Sequence, residues 1–249
     1  MAPVLEVCIG SVASALSARE GGCDRVELCA DLMIGGTSPS PALVRQVKEY
    51  TGLKVRALLR PRFGDFCYDR YEREEMVELA GLYAQLGVDA VVTGVLTREG
   101  DLDLAAMGEI KSVLGGTTLA LHRAFDMCRD PFRTMEEAIS LGIGTILTSG
   151  QKNAAWEGRE LLRALQQKSG GRIEILAGAG VGPANLKALA EYTGIRSFHM
   201  SGKAVKDSAM RFRRSGVSMG LPGFSEYDLW QTDADTVKRA AEILRGLDQ

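Results

Sequence analysis

Two short strings set a carboxylate and a thiol at the same spacing: Glu6-Val7-Cys8 and Glu27-Leu28-Cys29. In an extended segment residues two apart share a face, so each string presents one acid and one soft ligand to the same side. On neighbouring strands, about 4.8 Å apart, the two carboxylates cannot both ionise cheaply unless a cation lies between them. Candidate cations follow in Arg60-Pro61-Arg62-Phe63-Gly64-Asp65-Phe66 and at Arg123. A buried Glu–Arg network that merely satisfies itself is the plain alternative for Glu6 and Glu27. The chain has 2 histidines, His122 and His199. His122-Arg123-Ala124-Phe125-Asp126 puts an imidazole, a guanidinium and a carboxylate in one short run. That set suits acid/base work near neutral pH, with an arginine to hold a carboxylate or oxyanion.

Two further strings suggest an anion pocket. Ala177-Gly178-Ala179-Gly180-Val181-Gly182 follows an apolar run and is read as opening a helix, so backbone N–H groups at Gly178 and Gly180 could face a phosphate or carboxylate. Ser201-Gly202-Lys203 completes the arrangement known from phosphate-binding barrels. The alternative is that these glycines only permit tight turns. Thiolates and imidazole suit Cu(I), which makes Cys8 and Cys29 candidate copper ligands, although no compact Cys or Met cluster accompanies them and free cysteine is commonly a small apolar filler. Glu6, Glu27 and His122 could instead hold a divalent ion.

These residues must be positioned by regular elements. Eight β-rich apolar runs can be counted, at 4–9, 25–29, 54–60, 88–93, 117–122, 143–149, 172–178 and 195–201, separated by amphipathic stretches. One strand, one loop and one helix per unit is what a parallel crossover requires. Both histidines, Arg60 and the thiols then fall at strand carboxyl ends, where barrels build their sites. Ser40-Pro41 and Asp130-Pro131 read as helix starts, as does Gly182-Pro183; Gly87, Gly115 and Gly142 read as helix ends. The expected fold is α/β, a single (β/α)8 TIM barrel over 1–249, with an open doubly wound sheet as the competitor. The stretch 203–231 is expected to be an elaborated last loop before a final helix, long enough to be functional or an interface.

The totals narrow the partners. With 249 residues, 45% hydrophobic and 25% charged, the chain can bury the core of one large barrel. Lys and Arg number 30 against 32 Asp and Glu, so bulk charge gives no reason to expect nucleic acid or an anionic membrane; Arg211-Phe212-Arg213-Arg214 reads as loop or interface. No apolar run approaches the roughly 20 residues of a membrane span, and the opening MAPVLEVCIG shows no leader pattern. A cytoplasmic location with reduced thiols at the 5 cysteines is expected.

Ordered motifs along nearly the whole chain resemble the copper homeostasis family CutC: LEVC (5–8), DRVELC (24–29), GGTSPS (35–40), RPRFGDF (60–66), VTGVL (92–96), HRAFDM (122–127), LTSGQ (147–151), AGAGV (177–181), FHMSG (198–202) and MRFR (210–213). The resemblance implies a β/α barrel, a cytoplasmic homo-oligomer (dimer or tetramer), and copper binding or copper tolerance without a settled enzymatic activity. Copper assignments carry over to Cys8 and Cys29. Two positions depart from the family pattern. Phe63 stands where a glycine is common and is expected to narrow the mouth. Met200 lies in FHMSG where FHxSA is more usual; it is a conceivable thioether ligand, but alternation places it opposite His199. Three functional readings follow: a Cu(I)-handling protein, an enzyme of lyase or isomerase type on a small anionic metabolite such as a sugar phosphate or hydroxy acid, and a scaffold whose long last loop mediates assembly.

Overall fold

Eight parallel strands close into a barrel in chain order: β1 (Val4–Ile9), β2 (Arg25–Leu28), β3 (Lys54–Leu58), β4 (Ala90–Thr93), β5 (Thr118–Leu121), β6 (Thr145–Thr148), β7 (Glu174–Ala177) and β8 (Ser197–Met200), with β8 pairing back onto β1. The structure is a computed structural model that describes residues 3–220 and 223–247. Helices α1 (Val12–Glu20), α2 (Pro41–Thr51), α3 (Arg70–Gln85), α4 (Leu104–Ser112), α5 (Pro131–Ser140), α6 (Arg159–Ser169), α7 (Leu186–Thr193) and α8 (Ala234–Gly246) pack around it. The expected TIM barrel is therefore the fold, and the open sheet is excluded.

Alternation along each strand sorts the side chains. On β1, Leu5, Val7 and Ile9 are buried in the apolar layer shared with the helices, which leaves Glu6 and Cys8 to the barrel interior. Met200 on β8 belongs to the same apolar layer, so it lies across the strand from His199, as alternation requires. Helix starts obey local chemistry. Ser40 and Asp130 cap α2 and α5, each ahead of a first-turn proline, and Asp69 with Glu72 forms a reciprocal capping box on α3.

Two expectations change. Gly182-Pro183 does not start a helix: α7 begins at Leu186. The Asn185 side chain accepts from the Gly182 N–H at 3.0 Å and donates to the Gly180 carbonyl at 2.8 Å, holding a separate turn ahead of the helix. The stretch 203–231 is also not simply irregular. Strands β9 (Lys203–Asp207) and β10 (Asp228–Thr232) pair antiparallel into an exposed ribbon that leads into α8.

Candidate functional site

The barrel interior holds two polar levels. The lower one is a closed charge network. Glu6 Oε2 accepts from Arg25 Nε at 2.6 Å and lies 3.3 Å from Arg56 Nη1. Glu174 on β7 receives Arg25 Nη2 at 3.0 Å, the Thr145 hydroxyl at 2.6 Å and the Ser197 hydroxyl at 2.7 Å. Arg56 Nη2 also donates to Thr145 Oγ1 at 3.0 Å. From sequence the compensating cations are expected at Arg60, Arg62 and Arg123; the structure supplies Arg25, Arg56 and His199 instead. The signal was present, since Arg25, Glu27 and Cys29 share one strand face, as do Arg56 and Leu58, and Glu174 and Leu176.

The upper level is joined to the lower through His199. Its Nδ1 lies 2.8 Å from Glu6 Oε1 and its Nε2 3.8 Å from Glu27 Oε2, so the imidazole is the cation between the two carboxylates. Burial would lower the pKa of His199, but neighbouring Cys8, Glu6 and Glu27 raise it well above the ordinary value. Burial would raise Glu6, yet the bond to His199 and the charges of Arg56, His199 and Arg25 bring it down to about 2. Glu27 goes the other way. Burial lifts its pKa and the Glu6 charge adds to that, beyond what His199 and Arg56 offset. One carboxylate is thus held ionised while its neighbour has an increased affinity for a proton, the pattern by which paired acids acquire different roles.

A cavity of about 230 Å³ opens above this pair at the carboxyl ends of the strands, lined by Cys8, Glu27, Cys29, Leu32, Gly35, Leu58, Arg60, Phe66, His122, Arg123, Leu147 and His199. Both E-x-C strings therefore meet there, with both histidines; Glu6 lies below, in contact with His199. His122 is 5% exposed, and its Nδ1 accepts the Ala124 N–H at 3.1 Å. Its Nε2 is buried and has no hydrogen-bond partner among the described residues. Burial, with Arg60 nearby, drops its pKa to about 3, so the ring is neutral at pH 7. Phe66 packs on it with ring centroids 4.9 Å apart.

Other expected site residues have different positions. Arg60 lines the cavity, but its Nη1 donates to the Gly35 and Gly36 carbonyls at 3.2 and 3.1 Å and its Nη2 to Gly64 at 2.8 Å. It therefore ties two loops together rather than standing free as a clamp. Arg123 lines the cavity with Nε on Asp126 and Nη2 on Ser149. Asp126 is directed away from the cavity, accepting from Thr148 Oγ1 at 2.5 Å and from the backbone N–H groups of Ser149 and Gln151. It fixes the loop after β6. Gly178, Gly180, Ser201 and Gly202 are not among the cavity-lining residues. The Gly178 N–H donates to the Thr148 carbonyl at 3.0 Å, and Gly202 takes φ 52° beside Val237. Phe63 is 66% exposed and is not a wall of the cavity, so the expected narrowing does not occur.

A metal ion needs several converging, deprotonated donors. Among the described residues no group of three or more His, Cys, Asp or Glu side chains is arranged to hold an ion. Cys29 Sγ lies 3.5 Å from Glu27 Oε2, and burial with the nearby Glu27 charge pushes its thiol pKa well above the usual value, which disfavours the thiolate that binds Cu(I). Glu6, already held by three cations, is unavailable to share a divalent ion with Glu27 and His122. The residues do not form a ready metal centre.

A closed eight-stranded parallel barrel with its cavity at the carboxyl-end face defines the class, a TIM-barrel protein. Within it, the CutC family model matches residues 3–204, and the chain belongs to the CutC family. A family protein CutC from Chromobacterium violaceum is 41% identical over 244 residues, spanning 98% of this chain and 99% of its own. A solved structure from Streptococcus agalactiae, described as a copper homeostasis protein CutC, is 30% identical with a TM-score of 0.77, covering 80% of this chain and 98% of its own. Phosphoribosyl anthranilate isomerase from Thermotoga maritima, at 15% identity and a TM-score of 0.55, covers 99% of this chain and 100% of its own and shares the fold alone. Among the described residues no helix is long and apolar enough to cross a membrane.

Proposed function

We propose that the mouth carries out acid/base chemistry on a small anionic metabolite: removal of a proton next to a carbonyl, as in a lyase or isomerase. The observation that carries this reading is the Glu27–His199 pair on the cavity floor. A carboxyl with raised proton affinity faces the open cavity, backed by an imidazolium that stabilises its ionised form. A raised proton affinity beside a stabilising cation is what a general base uses. Glu27 takes the proton, and Glu6 holds His199 in orientation from below. The guanidinium groups lining the cavity provide positive charge for the anionic end of the ligand.

Solvent exchange tests this. In D2O, a panel of 2-oxo acids, hydroxy acids and sugar phosphates is followed by proton NMR for loss of signal at the carbon next to the carbonyl or carbinol. At least one compound is expected to exchange with the wild-type protein. Glu27→Gln should slow that exchange by about 10²–10⁴-fold, the usual contribution of a positioned base. A panel that stays silent, or a Glu27→Gln protein as fast as wild type, ends the reading.

A copper-handling reading has one observation in its favour: Cys8, Cys29 and His199 line the same cavity. It requires Cys29 to lose the proton that burial and Glu27 hold in place. Competition against a Cu(I) chelator decides it. Stoichiometric uptake that vanishes in the Cys8→Ser, Cys29→Ser double variant supports copper handling, and unchanged affinity in that variant removes it. Cytoplasmic location and self-association belong to the same proposal and are checked by fractionation and by sedimentation.

A further inference from the structure

The floor of the cavity accounts for a base but leaves two buried donors of its lining residues without partners among the described residues, Arg60 Nε and His122 Nε2; the second is on a residue already suited to acid/base work. His122 Nδ1 already accepts from Ala124 N–H, so the ring's single proton resides on Nε2, and that N–H is buried in the wall of the cavity with no partner. A buried donor without an acceptor loses about 1–3 kcal/mol relative to one that is satisfied. Native proteins rarely carry such a group, and here the residue that bears it lines a cavity. The ring is not free to turn away. Phe66 packs on one side at 4.9 Å between centroids, and a Cβ at position 94 would come within 2.9 Å of Nδ1, so Gly94 forms a close seat for the ring.

We infer that His122 Nε2–H is the hydrogen-bond donor to the reacting carbonyl oxygen, and that the ligand is a small ketone or aldehyde bearing one carboxylate. This rests on the acid/base reading above and names its substrate class. Three observations select the class. The cavity, about 230 Å³, is smaller than the roughly 300–1,000 Å³ of pockets for drug-sized ligands. Leu58, Phe66 and Leu147 give it apolar walls, whereas Arg60 and Arg123 bring guanidinium groups to the same cavity; Arg123 is already paired with Asp126, while Arg60 bonds neutral carbonyls, which leaves one positive charge for a ligand anion. A phosphate would need several converging donors, and the groups expected to supply them, Gly178, Gly180, Ser201 and Gly202, do not line this cavity, the Gly178 N–H being engaged with Thr148.

The step balances without a co-reactant. The C–H bond next to the carbonyl breaks and its proton goes to the Glu27 carboxylate. The electron pair moves into the new C=C bond while the carbonyl π pair moves onto oxygen. The resulting enolate oxygen accepts from His122 Nε2–H. A neutral imidazole serves well in this position because it donates strongly without protonating the enolate outright, and the buried setting strengthens the bond as charge develops.

The test uses the full chain labelled with ¹⁵N, with oxamate as a planar enolate mimic and inorganic phosphate as the contrasting anion. At pH 7 the ring nitrogens of His122 should report the neutral Nε2–H tautomer. Oxamate should move the Nε2–H resonance, and phosphate should not. His122→Phe, which keeps an aromatic ring against Phe66 and removes the donor, should weaken oxamate binding about tenfold. A His122 imidazolium or Nδ1–H tautomer overturns the inference, as does oxamate that fails to bind at ~10 mM or binds the His122→Phe protein as tightly as wild type. The two proposals fail separately. Oxamate seated on His122 with no solvent exchange in any substrate keeps the carbonyl site and removes the reaction; exchange that persists in His122→Phe keeps the reaction and removes this inference.

Discussion

The lower barrel interior and the mouth above it are made from the same residue types, yet they are finished differently. Below, Glu6 and Glu174 face Arg25 and Arg56, and hydroxyls from Thr145 and Ser197 fill the remaining positions on Glu174. Above, Glu27 has a neighbour at 3.8 Å in place of a close arginine, and His122 keeps an unpaired donor. A saturated network holds the barrel's shape, whereas an unsaturated one has capacity left for a ligand. The self-satisfying Glu–Arg network considered from sequence therefore describes Glu6 and is incomplete for Glu27, and the two E-x-C strings that look alike in sequence have different surroundings.

Removing one charge from each level sharpens that contrast most. Glu6→Gln leaves Arg25, Arg56 and His199 short of their shared anion in a dry interior. Breaking such a buried arrangement should lower unfolding free energy by about 3–5 kcal/mol in urea titration. Glu27→Gln relieves a carboxyl that burial disfavours, so stability should change by no more than about 1 kcal/mol, with a gain allowed. Equal losses in the two variants would erase the distinction between the levels.

The pH dependence of stability divides along the same line. Glu6 titrates near 2 in the folded chain against 4.5 when free, and His122 near 3 against 6.5. In both windows the unfolded chain binds more protons, so stability falls as pH drops from 6.5 to 3 for His122 and from 4.5 to 2 for Glu6. Glu27 has the opposite sign. Its raised folded pKa gives stability that is full below 4.5 and declines as pH rises through the folded value. Urea midpoints measured against pH should show His122→Phe with a flatter slope between 6.5 and 3, and Glu27→Gln with a flatter decline on the neutral side. An unchanged acid slope in His122→Phe would mean the ring is not held neutral.

Gly94 controls the mouth at one remove. An added Cβ would lie 2.8 Å from Ala124 Cβ and Leu121 Cδ1 and 2.9 Å from His122 Nδ1. Gly94→Ala should lower stability by about 1–3 kcal/mol through overpacking and should shift the His122 ring resonances. The corresponding change at the helix-end Gly52, where nothing lies within 4 Å, should leave those resonances in place, although its φ of 64° penalises the backbone.

How much of this could be read in the sequence follows from the range of each interaction. The eight strands and the Ser40, Asp69 and Asp130 helix starts are local patterns, and alternation alone puts Glu6, Glu27, Cys8, Cys29 and His199 inside the barrel. The pairing partners were not legible, because they depend on register across strands distant in sequence: Arg25 on β2 meets Glu174 on β7, past β1 and β8 in the barrel and 149 residues away in the chain. The choice of Arg60 as a clamp failed for a related reason. Its guanidinium has carbonyls from two loops within reach, and only the folded chain shows that they occupy Nη1 and Nη2. Gly182-Pro183 misled because proline marks turns as well as first helical positions, and Asn185 decides for the turn here.

The smallest effect is expected at the rim. Phe63, inside RPRFGDF, is expected from sequence to narrow the entrance. Its side chain is largely in solvent, while its carbonyl, which accepts from Arg62 Nη1 at 3.3 Å, is backbone and survives substitution. Phe63→Ala removes the ring without adding the chain freedom that glycine would bring. Unfolding free energy should then stay within about 0.5 kcal/mol of wild type, and oxamate affinity should be unchanged in the same ¹⁵N titration. A marked gain in affinity would show that the ring does fold over the entrance when a ligand arrives. The boundary between the saturated interior and the open mouth would then extend outward to include the β3–α3 turn.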